Sequence, residues 1–285
     1  MHPRQRIQQS LSLLTPELQR AASFTLTHSH DVMTLSMRAY AHNAGVKPAT
    51  LHRLAQRLGY EGWAALKHDF ITSLTVSAES PTRRARRLVE EANDPARLYD
   101  DMFAAHTRNM ARCRDENRAA MGETIALMDD AEHVYICGFR ASFPIAWSVY
   151  YVYRLFNKQV SLIDGFASND EMFTREIGPE DVLVIIGFAP YSRESLMVHE
   201  AARAVGATII ALTDAMTSPL AAGAAKSLWF PTDGPSFFPS VVAGMGVAES
   251  LLAALVNRHG AQAVERIKHA ENYMIRSGAW VVPGK

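Results

Sequence analysis

The strongest constraint on this chain is a turn that leaves room only for a joint between two helices. Ser36 opens a segment in which Met37, Tyr40, Ala41 and Ala44 recur on one helical face. Gly45 comes next, where a left-handed backbone ends a helix. Only Val46 and Lys47 separate it from Pro48, a residue suited to the first helical position. The next segment aligns Leu51, Leu54, Ala55 and Leu58 and stops at Gly59. Two short helices joined in this way predict a helix-turn-helix. Thr15-Pro16 starts an earlier helix carrying Leu18, Ala21, Ala22 and Leu26, and a later one aligns Trp63, Leu66 and Phe70.

With the apolar set turned inward, the outward face of the second helix and its approach carries Lys47, Ala49, Thr50, His52, Arg53, Gln56 and Arg57. These residues are the expected DNA contacts. Arginine pairs with guanine edges, glutamine with adenine, and threonine with a phosphate or a thymine methyl. Lys47 opposes the helix dipole and is a poor N-cap, a misfit that a nearby phosphate or base acceptor would compensate; otherwise it is a solvated lysine. His52 fits DNA contact and a solvated polar position equally. The charge distribution agrees: eight Lys/Arg face four Asp/Glu through residue 75, a net of +4, leaving −4 over the rest of a neutral chain.

Residues 76–130 read as a polar helical connector. Its run Arg83, Arg84, Arg86, Arg87 fits a solvated helix face. Asn93 or Asp94 would cap the next helix, with two helices expected from Leu98 to Met128. From residue 131 the texture changes to short apolar runs at 133–137, 159–163, 182–186, 208–212 and 227–230. Helical segments near 143–157, 193–205, 217–225 and 239–258 separate them. Strands apolar throughout and alternating with helices predict a five-stranded parallel sheet covered on both faces, an α/β domain over 131–260. A C-terminal helix and tail fill 261–285, and the helix-turn-helix domain fills 1–75.

Ligands in such sheets bind beyond the carboxyl ends of the strands. The first such loop is Gly138-Phe139-Arg140-Ala141-Ser142; the third strand leads into Gly187-Phe188-Ala189-Pro190-Tyr191-Ser192-Arg193-Glu194. Both run into helices, whose first amides favour an anion. Gly138, Arg140, Ser142, Gly187, Ser192, Arg193 and Ser236 are therefore the candidate effector contacts. Arg140 and Arg193 fit bidentate pairing with an anion and equally a surface or subunit salt bridge. Ser240 reads as an N-cap.

Other chemistries find little support. No dinucleotide fingerprint or Walker loop occurs, and no histidine cluster has metal-ligand spacing; His28 and His30 fall at a helix end. No cofactor, metal or catalytic residue is expected. Two cysteines, the absence of a long apolar run and an N-terminus without a signal core predict a reduced, cytoplasmic chain with no membrane partner. The rival is a sugar-phosphate isomerase with an appended helical domain, for which Glu194 and Glu249 are the carboxylates at hand.

The N-terminal run resembles RpiR-type transcriptional regulators. The motifs are Thr34-Leu35-Ser36, Ala44-Gly45-Val46, Ala49-Thr50 with Arg53, and Leu58-Gly59-Tyr60 through Lys67. The second half is similar to the sugar isomerase (SIS) domain of those proteins. That likeness rests on the Gly138-to-Ser142 turn, Ser192-Arg193-Glu194-Ser195, and Val205 through Asp214. The resemblance implies a double-stranded DNA operator, a small-molecule effector such as a sugar phosphate or another anion, and a homodimer or homotetramer. Three departures are visible. Lys47 replaces the family's small N-capping serine, and Arg140 replaces a glycine. Gly187, Ala189, Pro190 and Ser192 stand where the family pattern reads serine, serine, glycine and threonine.

Overall fold

The computed structural model describes residues 3–27, 32, 35–75, 80–91 and 94–281. Thr34, His28, His30 and Asn93 lie outside them. The chain divides into two compact units, Met1–Ser80 and Pro81–Lys285.

The first unit is helical: α1 (Pro3–Ser10), α2 (Pro16–Thr27), α3 (Met37–Asn43), α4 (Pro48–Arg57) and α5 (Trp63–Thr75). Ser36 caps α3, its hydroxyl accepting the Ala39 amide at 3.2 Å. Gly45 takes φ 64° and Gly59 φ 87°, so both stops use the backbone region that favours glycine. Leu18, Ala21, Ala22, Tyr40, Leu51, Leu54, Ala55, Trp63, Leu66 and Phe70 form one buried cluster. Within it the Tyr40 hydroxyl donates to Thr25, which in turn donates to the Ala21 carbonyl. Burying each large apolar side chain contributes roughly 1.5–3 kcal/mol, and this is what holds helices of 7 and 10 residues in place.

The second unit runs α6 (Pro81–Glu91), α7 (Pro95–Asp129), β1 (Val134–Gly138), α8 (Phe143–Tyr153), β2 (Val160–Ile163), α9 (Asn169–Glu176), β3 (Val182–Gly187), α10 (Arg193–Ala204), β4 (Thr208–Thr213), β5 (Lys226–Trp229) and α11 (Val242–Arg276). All strands are parallel, in the order β2-β1-β3-β4-β5. Alternate residues serve opposite faces. Ile136, Val184, Ile210 and Leu228 pack in a cluster with residues of α7, α8 and α11. Tyr135, Leu183, Ile185 and Ala211 pack with Val198 and Ala202 of α10. This is the two-sided α/β sheet that the uninterrupted apolar runs predict.

Four elements differ from expectation. Residues 95–129 form one 35-residue helix rather than two, capped by Asp94, whose carboxylate accepts the Ala96 amide at 2.9 Å. This helix belongs to the core of the second unit, since Cys113 and Met128 are buried against the sheet. Residues 217–225 are turns instead of a helix: Ser218 accepts the Leu220 amide, and Gly223 at φ 76° turns the chain toward β5. Helix α9 has no strong apolar repeat to announce it in the sequence. The last helix extends to Arg276, bending at Gly260 (φ 55°). No described helix is long and apolar enough to cross a membrane.

Candidate functional site

Helix α4 turns Leu51, Leu54 and Ala55 into the core. Lys47, Ala49, His52, Arg53, Gln56 and Arg57 are exposed around its other side. Thr50 is the exception and corrects the expected outward set, being fully buried. It precedes Leu54 by four residues and therefore shares its face. Its hydroxyl donates to Glu17 Oε1 at 2.7 Å, tying α4 to α2. Glu17 Oε2 and the Thr50 hydroxyl both accept from Arg53 Nη2 at 3.3 Å. The Thr50 hydrogen bond, helped by Arg53, Lys47 and Arg20, holds the Glu17 carboxyl below its ordinary range. Arg53 is thus pre-oriented on the exposed face. His52 lies against Gly62, where an added Cβ would come within 2.5 Å of the imidazole. Lys47 occupies the N-cap of α4 without a side-chain capping bond.

The second constellation lies in the sheet. Helix α8, leaving β1, packs on one face, and α10, leaving β3, on the other. Strands β1 and β3 are neighbours whose following helices take opposite faces, the switch point beyond whose carboxyl ends such sheets bind ligands. Gly138 ends β1; a Cβ there would meet Ala146 Cβ at 2.7 Å. Gly187 ends β3 with Leu220 Cδ1 only 2.6 Å from where its Cβ would be. Arg140 has φ 53°, and its guanidinium reaches from the loop after β1 to Glu194 Oε1 on α10 at 2.7 Å. Arg193, beside Glu194, is exposed.

The serines expected to bind ligand have local partners. Buried Ser142 donates to the Phe139 carbonyl at 2.8 Å, and Ser192 caps α10 by accepting the Ser195 amide at 3.0 Å. Ser236 accepts the Phe238 amide at 3.4 Å. Two residues that sequence reasoning missed organise the β3 loop. Asp214, just past β4, accepts the Ala189 amide at 3.0 Å and the Tyr191 hydroxyl at 2.6 Å. Burial first, and then Asp214, pushes the Tyr191 hydroxyl up, so it stays protonated. The only sequence signal for this is an acid placed directly after a buried strand. A hollow of about 410 Å³ lies between α7 and α11, lined by Met110, Met121 and Val247 together with Arg114, Arg118 and Ser250. Asn117 on its wall is engaged by the backbone of Trp229.

The chain thus joins a helical unit carrying a helix-turn-helix to a parallel α/β unit with a switch point between β1 and β3. It belongs to the RpiR-type regulators: the helix-turn-helix domain of the rpiR family matches residues 1–77 and the SIS domain matches residues 127–254. The uncharacterized HTH-type transcriptional regulator YfhH of Escherichia coli K12 is 24% identical over 274 residues, 93% of this chain and 96% of its own. Two solved structures share the fold. The sugar isomerase domain of the RpiR transcription factor from Sphaerobacter thermophilus has a TM-score of 0.59 at 20% identity, over 61% of this chain and 98% of that one. The Vibrio vulnificus NanR protein, complexed with ManNAc-6P, has a TM-score of 0.57 at 16% identity, over 96% of this chain and 98% of that one.

Proposed function

We propose that this regulator reads operator DNA with α4 and that a small anion at the β1/β3 switch point controls its grip. One observation carries the DNA reading. A short helix buries its entire apolar stripe and leaves Lys47, Ala49, His52, Arg53, Gln56 and Arg57 exposed around the opposite side. Such a face suits phosphate contact and base-edge readout together. Thr50 supports it from behind by holding Glu17, which orients Arg53. Two copies of the chain, as a homodimer or within a homotetramer, would place their α4 helices in half-sites about one helical turn or a multiple apart.

Arg140 supports the anion reading, since a guanidinium at a switch point can take a carboxylate or phosphate bidentately. Arg193 would add charge at the mouth. Ser142 and Ser192 already donate or cap locally, so the charge for an anion would come from the arginines. The complex of NanR with ManNAc-6P is consistent with a hydroxylated anion in this fold. Asp214 is engaged by Ala189 and Tyr191, and Glu194 by Arg140, which supports binding over proton abstraction. A ligand that prefers one arrangement of the two modules shifts the population able to hold DNA. The test is a selection of bound sequences by the full chain, followed by a thermal-shift screen against sugar phosphates, sugar acids and small carboxylates. No enriched sequence would overturn the DNA reading, and no stabilising anion would overturn the effector reading.

A further inference from the structure

The Arg140–Glu194 pair has an unusual combination of features. Arg140 is one of three described residues other than glycine with positive φ, and the backbone holds it at φ 53°. Its side chain is 71% exposed, yet it bends onto Glu194, whose side chain is 36% exposed. The pair joins the loop after β1 to the first turn of α10, the two segments that flank the β1/β3 switch point. Only one carboxylate oxygen takes part. Glu194 Oε2 is buried and lies outside the bond to Arg140, with its own amide and the Ser192 hydroxyl as the donors beside the carboxylate. Glu194 is held below the ordinary carboxylate range first by its own helix amide and also by Arg140, so it is an anion at neutral pH.

A carboxylate on an exposed guanidinium at the β1/β3 switch point occupies the place an anionic ligand would take. We propose that Glu194 is an internal competitor for Arg140, a tethered anion that an effector must displace, and thereby sets the affinity threshold of the site. The proposal rests on the anion reading above. It adds a requirement on the incoming molecule. Displaced Glu194 keeps its charge and loses the donor on Oε1, so a ligand that also donates a hydroxyl or ammonium hydrogen is favoured over a bare oxyanion.

The experiment is calorimetric titration of the full-length chain with inorganic phosphate, gluconate and glucose 6-phosphate. It compares the native protein with Glu194→Gln, Arg140→Gln and the double variant. Thermal melts of each check that folding is intact. Glu194→Gln should bind phosphate about two- to fivefold tighter than the native chain, the range set by a partly exposed ion pair. That gain should vanish in the double variant, which shows that it acts through Arg140 rather than through net charge. Native protein that binds an anion no more weakly than Glu194→Gln overturns the competitor role while leaving the anion site standing. Failure of both proteins to bind all three anions overturns the site itself. A gain that persists in the double variant also overturns the proposal, because the carboxylate would then act on some other cation.

Discussion

The hydroxyl of Thr50 lies 2.7 Å from Glu17 Oε1 and joins α4 to α2 beneath the exposed face. The same carboxylate engages Arg53 through its other oxygen, so one acid both fixes the helix and orients a surface arginine. Thr50→Val removes the donor while keeping the shape. The Glu17 carboxyl should then titrate higher, nearer 4.5, by side-chain NMR. The sign comes from linkage. A depressed folded-state value gives stability that is present at neutral pH and lost as pH falls through that value. The native chain should therefore lose more stability on acidification than Thr50→Val does.

Arg140 stands in a backbone conformation that favours glycine. Relief of left-handed strain, set against glycine's greater unfolded-state freedom, should make Arg140→Gly more stable by about 0.5–1 kcal/mol, less what the exposed ion pair contributes. Urea unfolding should show a midpoint at or above that of the native chain, although a salt bridge has gone. The anion response should disappear in the same variant.

Asn117 on α7 spans the backbone of Trp229, accepting its amide at 2.6 Å and donating to its carbonyl at 2.7 Å. Strand β5 lies at the edge of the sheet, so this side chain substitutes for the missing neighbouring strand. Asn117→Ala leaves both groups without these partners and should cost about 1–3 kcal/mol. The check is a shift in the denaturation midpoint, together with faster amide exchange at Trp229.

Gly138 has no room for a side chain: its Cβ would sit 2.7 Å from Ala146 Cβ and 3.2 Å from the Ser142 carbonyl oxygen. Neither neighbour is the end of a flexible side chain. Gly138→Ala should destabilise the second unit by about 1–3 kcal/mol through overpacking. Calorimetric melting should report the loss, with the switch point disturbed as well.

The features legible in the sequence are those written by local rules. Glycine stops at Gly45 and Gly59, the Ser36 cap, and the apolar runs of β1, β3 and β4 lie within a residue or two of where local patterning puts them. The features that escape sequence reasoning depend on partners far along the chain. Thr50 is polar in type, and only the presence of Glu17, 33 residues earlier, makes it comfortable inside. Helix α7 reads as polar because its inward residues include Asn109 and Asn117, whose partners lie more than a hundred residues away. Strand ends locate the candidate ligand loops. The pairing of Arg140 with Glu194, and of Asp214 with Ala189 and Tyr191, requires the register of β1, β3 and β4.

The operator face can be tested most directly with Gln56→Ala and Arg57→Ala, two exposed positions without a structural role comparable to that of Thr50. Binding of each variant to a selected operator duplex is measured by fluorescence anisotropy at fixed salt, with melting curves to confirm folding. Placement of α4 in the major groove predicts a loss of about 1–3 kcal/mol for a base-reading contact, and a shallower salt dependence where Arg57 meets a phosphate. Native affinity and salt slope in both well-folded variants would contradict α4 as the DNA-reading helix.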